Sequence, residues 1–230
     1  MRQQAEVVLI HGLWHQPAHF DRLADSLRRY GLTVQVPRLH RGSLAADTAV
    51  VQKVVDECRK SPVVLGHSYG GSVITGLERV SHLIYVAAFV PTAGESGALL
   101  GGADALVNDA VRFNDDGTTS IQPGEAREVL YADCTEADSE WATALLLPQQ
   151  PGHGRGVPGR VAWQSIESTY IICRRDKALS PTVQERMAGR CTAVISLESS
   201  HSPFISRPVE LAEVIVGICM EVERSTNSSR

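Results

Sequence analysis

The chain has little that would draw it to a polyanion or a bilayer. Its 22 Lys and Arg stand against 26 Asp and Glu, a net charge of −4. No basic cluster falls on one face of a predicted helix, which argues against nucleic acid or an anionic membrane as a main partner. No apolar run approaches the roughly twenty residues that span a bilayer. Met1 to Glu6 carry an acidic residue and run straight into a strand, without the basic region, apolar core and cleavage site of a secretory signal. Cys58, Cys134, Cys173, Cys191 and Cys219 are odd in number, widely spaced and free of any C-x-x-C pair. That pattern suits reduced thiols better than disulfides or zinc. Together these absences predict a cytoplasmic location.

What is present is the rhythm of a parallel α/β sheet. Short apolar runs alternate with amphipathic stretches, and each run ends in Gly, Pro, His or Asp. Strands are expected at Glu6–His11, Leu32–Pro37, Val63–His67, His82–Phe89, Thr169–Arg174 and Thr192–Leu197. Helices are expected at Phe20–Tyr30, Ala45–Arg59, Tyr69–Leu77, Pro181–Ala188 and Pro208–Val222. The stripe Val50, Val51, Val54, Val55 and Cys58 reads as core packing. At 230 residues the chain has room for one domain, 1–230, with a single buried core. Residues 91–165 break the rhythm: rich in Gly, Asp and Thr, with one short helical candidate at Ser139–Leu147, they are too long for an ordinary connection and read as a lid insertion. Glu223–Arg230 are polar and expected to fray.

The chemistry centres on Gly66-His67-Ser68-Tyr69-Gly70-Gly71, a G-x-S-x-G pattern directly after the apolar run Pro62–Leu65. A serine on a sharp strand-to-helix turn sits in a strained conformation with Oγ exposed above the sheet. Three further segments end at the same sheet edge, because loops at the carboxyl ends of parallel neighbours open onto one crevice. The first strand breaks at His11-Gly12-Leu13-Trp14, where the Leu13 N–H, together with that of Tyr69, can face a developing oxyanion; a simple glycine turn is the alternative. Asp176 follows the strand at Thr169. A carboxylate there can orient an imidazole, although Asp is also a common turn residue and Glu198 and Glu95 are rivals. His201 lies between the last strand and the last helix, which completes the order Ser, Asp, His. The other histidines read as turn or loop residues; His153, among Gly152, Gly154 and Gly156, reads as solvated rather than as reaching the site.

On these segments, with Tyr85-Val86-Ala87-Ala88-Phe89-Val90-Pro91, Asp176-Lys177-Ala178 and His201-Ser202-Pro203-Phe204, the chain resembles the α/β-hydrolase superfamily from Glu6 to about Val222. Within it, the chain looks most similar to the small-lid branch of plant methylesterases, hydroxynitrile lyases and bacterial esterase-like proteins. The resemblance implies an α/β-hydrolase fold of about six mostly parallel strands, helices on both faces and a small lid. It implies a serine hydrolase that cleaves an ester, thioester or lactone of a small molecule through an acyl-enzyme, with Ser68, Asp176 and His201 catalytic and Leu13 and Tyr69 forming the oxyanion hole. Gly12, Trp14 and Phe204 are the candidate substrate contacts, no cofactor or metal is required, and monomer and homodimer both remain open. Gly12 and Ser202 replace the Thr and Lys of the plant lyases, which argues against cyanohydrin chemistry. A non-catalytic small-molecule receptor on the same fold is the opposing reading.

Overall fold

The computed structural model describes residues 5–102 and 107–228; residues 1–4, 103–106 and 229–230 of the expected domain and insertion lie outside the described residues. Six strands form one sheet: β1 (Glu6–Ile10), β2 (Thr33–Gln35), β3 (Val63–His67), β4 (His82–Val86), β7 (Ser168–Cys173) and β8 (Ala193–Leu197). Their order is β2-β1-β3-β4-β7-β8, and every neighbouring pair is parallel. The chain leaves β1 for one edge and returns to β3 on the other side of it. The strand order therefore reverses between β1 and β3, and a crevice opens at their carboxyl ends.

These runs become strands because side chains alternate between two buried faces. Val7, Leu9, Leu65, Ile84 and Ile171 point into one apolar cluster, where they meet Leu23 and Leu27 of α1 (Asp21–Arg29) and Leu211 and Ile215 of α10 (Pro208–Ser228). Val8, Ile10, Val64, Tyr85 and Tyr170 point into the other. There they pack on Val51 and Val55 of α2 (Leu44–Glu57), Val73 and Ile74 of α3 (Gly70–Thr75) and Met187 of α8 (Pro181–Ala188). Ser43 caps α2 by accepting the Ala46 N–H at 3.2 Å, which supplies one of the orphan donors of the first turn.

Three expectations are corrected. β4 stops at Val86 instead of Phe89, because Ala87 adopts φ +44°, which no strand sustains. The last helix continues through Val222 to Ser228: once started on the apolar stripe of Ile215, Ile218 and Cys219, it extends at little cost through residues that include neither Gly nor Pro. The insertion between β4 and β7 holds far more structure than one helix. It contains α4 (Gly97–Gly101), α5 (Val107–Ala110), the antiparallel pair β5 (Val111–Phe113) and β6 (Thr119–Ile121), α6 (Pro123–Leu130) and α7 (Glu136–Ala144). Thr135 sets the start of α7 by accepting the Asp138 N–H. All five cysteines are free, with Cys58, Cys173 and Cys219 buried. Among the described residues no helix is long and apolar enough to cross a membrane.

The close approach of α3 to β1 needs Gly70, where a Cβ would stand 2.6 Å from the Ile10 carbonyl oxygen. Gly70→Ala is expected to lower the urea-unfolding free energy by about 1–3 kcal/mol. Gly217→Ala, at an exposed position inside α10 where a Cβ meets nothing within 4 Å, should raise it by about 0.5–1 kcal/mol.

Candidate active site

Ser68 sits on the turn between β3 and α3 with φ +53°, in the left-handed region that non-glycine residues avoid. The surroundings hold it there. Ser68 N–H donates to Val86 O at 3.2 Å, and Ser68 O accepts from Gly71 at 3.0 Å and from Phe89 at 3.2 Å. Gly66 allows the fold-back, since a Cβ on it would lie 2.5 Å from the Gly70 carbonyl oxygen. The result is a partly exposed serine at the reversal of strand order.

Asp176, 5% exposed, has every lone pair directed. Oδ1 accepts the N–H groups of Ala178 at 2.8 Å and Leu179 at 2.9 Å, and Oδ2 accepts Gln184 Nε2 at 2.9 Å and His201 Nδ1 at 2.7 Å. Gln184 is held in turn by the Cys173 N–H at 2.9 Å. With Nδ1–H donated to the carboxylate, Nε2 of His201 is free to act as a base. The rival carboxylates are engaged elsewhere: Glu198 pairs with Arg175 at 3.3 Å and Glu95 with Arg190 at 2.5 Å. Ser68 and His201 line one cavity, and among the described residues no hydrogen bond joins Ser68 Oγ to the imidazole.

That cavity has a volume of about 780 Å³. Its walls include Leu13, Trp14, Tyr69, Phe89, Leu130 and Leu179. The N–H groups of Leu13 and Tyr69 donate to no other group among the described residues. Two candidate substrate contacts, Gly12 and Phe204, are not among the residues that line it. Gly12 is a spacer, because a Cβ there would stand 3.0 Å from Ser68 Cβ and 3.2 Å from His67 Nδ1. Phe204 is 1% exposed and packs behind the site against His67 at 4.8 Å and Phe20 at 4.5 Å, because α9 (Pro203–Ser206) turns its ring inward directly after Ser202. Trp14, at φ +61°, does line the cavity, and its ring N–H donates to Thr119 Oγ1 at 3.2 Å. The insertion is fastened to this loop: Leu147 N–H donates to Trp14 O at 2.8 Å, Gln16 Nε2 to Leu145 O at 2.7 Å and His19 Nε2 to Ala142 O at 3.0 Å.

Histidines are where sequence reasoning misses most. Seven of the eight are buried; only His40 is exposed. His153 is 3% exposed and lines the cavity, because Gly152 at φ +94° turns the chain back and Nδ1–H donates to Gln150 O at 3.0 Å. His67 donates Nε2–H to the His201 carbonyl at 2.9 Å, and His15 lies between His67 and Tyr131, whose hydroxyl meets His15 Nε2 at 3.1 Å. Burial holds His15 and His67 well below the usual imidazole range and lowers His11 to about 4. The rings of His11, His15 and His67 are therefore neutral at pH 7. A signal was present in the spacing of His11, His15 and His19, four residues apart, but loops carry no periodicity to interpret it. Among the described residues no group of three or more His, Cys, Asp or Glu converges to hold a metal ion.

The alpha/beta hydrolase family model matches residues 7–214. The chain belongs to that family. An alpha/beta hydrolase of Aspergillus novofumigatus, nvfD, is 29% identical over 88% of this chain and 91% of its own length. The solved structure of a pyrethroid hydrolase from Sphingobium faniae superposes with a TM-score of 0.80 at 26% identity, covering 94% of this chain and 98% of its own. A methylesterase from Arabidopsis superposes with a TM-score of 0.75 at 18% identity, over 93% and 98% of the two chains, which shows the shared fold.

The buried imidazoles make stability depend on pH. Unfolded His11 takes a proton near its ordinary value of 6.5, whereas the folded ring resists until about 4. Stability present above pH 6.5 is therefore lost as pH falls toward 4. From His11 alone the loss at pH 5 is about 2 kcal/mol. Urea midpoints between pH 7.5 and 5 should fall accordingly, and His11→Asn should flatten the slope.

Proposed function

We propose that this hydrolase cleaves carboxylic esters of small, largely apolar molecules through an acyl-enzyme on Ser68. The observation that carries the reading is the 2.7 Å Asp176–His201 contact opening, with the strained Ser68, into one apolar-walled cavity. Ser68 Oγ attacks the ester carbonyl carbon as His201 Nε2 takes its proton. Asp176 keeps the imidazole in the required tautomer and stabilises the imidazolium. The carbonyl oxygen becomes an oxyanion facing the Leu13 and Tyr69 N–H groups. Collapse expels the alcohol, which leaves with the proton from His201, and water then attacks the Ser68 ester by the same steps to release the acid. Residues 91–165 act as a lid on a single domain and supply the wall opposite Ser68. The similarity to a pyrethroid hydrolase and to a carbendazim-hydrolysing esterase supports a small-molecule ester substrate, and a cavity of about 780 Å³ suits a ligand of that class.

The test is turnover of p-nitrophenyl esters of graded acyl length by the full chain. Ser68→Ala is expected to lower kcat/KM by about a thousandfold or more, and Asp176→Asn to lower kcat by a comparable factor. A chain that binds esters tightly yet turns none over would be a receptor, and the hydrolase assignment would fail.

A further inference from the structure

The proposed acyl transfer leaves unused a buried carboxylate next to the nucleophile turn. Asp47, in the first turn of α2, is 1% exposed. Its Oδ2 accepts the Tyr69 hydroxyl at 2.7 Å, its Oδ1 accepts the Arg41 backbone N–H at 2.7 Å, and His153 Nε2 lies 3.7 Å from Oδ2. Its two hydrogen-bond donors come from two segments, the turn after β3 and the loop before α2, while His153 brings the insertion against the carboxylate without a hydrogen bond. Arg41 has φ +64°, a strained backbone that aims its N–H at the carboxylate. Its guanidinium donates to His15 O at 3.1 Å, Leu147 O at 3.3 Å and Pro148 O at 2.5 Å. His15 in turn donates Nδ1–H to Leu13 O at 3.0 Å. One carboxylate is thus linked directly to Tyr69 and, through Arg41 and His15, to the loop that carries Leu13.

We propose that Asp47 is a positioning residue for the oxyanion hole, fixing the Tyr69 peptide through the phenol and the Leu13 loop through Arg41. This rests on reading the Leu13 and Tyr69 N–H groups as the oxyanion donors. Burying a carboxylate is costly unless its partners are all in place, so the network admits one arrangement and transmits it to both donors. Burial, then the neighbouring Asp47 charge, raises the Tyr69 phenol and keeps it a donor. Small displacements of aligned donors carry large rate effects, about a hundredfold for an ångström.

The experiment compares wild type, Asp47→Asn, the near-isosteric Tyr69→Phe and the double variant on one p-nitrophenyl ester. Rates are expressed per Ser68 that reacts with a fluorophosphonate taken to completion. The same proteins are titrated with a trifluoromethyl ketone of the same acyl group, which mimics the oxyanion adduct. Each single variant should lose about ten- to hundredfold in kcat per reactive serine with KM within about twofold. The ketone Ki should rise in step with the loss in kcat/KM, and the double variant should fall no further than the weaker single, because one link is broken twice. Unchanged kcat per reactive serine and unchanged Ki in Tyr69→Phe would overturn the assignment, as would losses that multiply in the double variant or appear only as a smaller reactive fraction. An active wild type with a silent Ser68→Ala and a fully active Tyr69→Phe sinks this inference alone. A wild type that turns over no ester, or a Ser68→Ala that remains active, sinks the acyl-enzyme reading beneath it.

Discussion

A single backbone angle organises this molecule: φ of +53° at Ser68. A residue held there must be over-determined by its neighbours, and the neighbours here are the main chains of β1, β3, β4 and α3 pressed against one another. Gly66 and Gly70 are needed because a methyl group on either would collide with backbone, and at Gly12 it would crowd the side chains of Ser68 and His67. At Gly71 the obstruction is the Phe89 carbonyl oxygen itself. The parallel sheet, the reversal of strand order and the glycines are therefore parts of one steric solution that leaves a serine side chain projecting from a crowded turn.

Polar partners complete what sterics begin. Asp176 has four donors and Gln184 fills both sides of its own amide, so the imidazole of His201 is oriented by a network that cannot rotate piecemeal. Behind it, neutral imidazoles and Phe204 make a wall without charge. On the proposed mechanism, such surroundings let a transient charge on His201 be felt by Asp176 with little dielectric screening.

The sheet was legible because strands buried on both faces read as unbroken Val, Ile and Leu runs, as at Val63–Leu65 and Tyr170–Ile172. Chain order anticipates the Asp176–His201 contact, since successive loops of a parallel sheet gather at one edge. The insertion was not legible, because its helices are short and start on caps such as Thr135 and Ser96 rather than on an apolar period. Asp47 and His153 escaped for a different reason. Each reads as an ordinary polar loop or first-turn residue, and only the folded chain brings them to 3.7 Å. Phe204, a substrate contact on the resemblance alone, is instead buried behind the site, packed on Phe20 and His67.

The seam between the insertion and the Trp14 loop divides the cavity wall into two parts that can evolve at different speeds. On the seam, Trp14, Gln16, His19 and Arg41 bind the insertion through main-chain carbonyls, so a change there is felt in the loop beside Ser68. Phe113, 80% exposed, lines the cavity from β5, whose partner strand β6 is tied through Thr119 to Trp14 and Gln149. On the proposed reading, the exposed Phe113 position is where a lineage can exchange side chains and drift from one ester to another while the reaction itself is left alone.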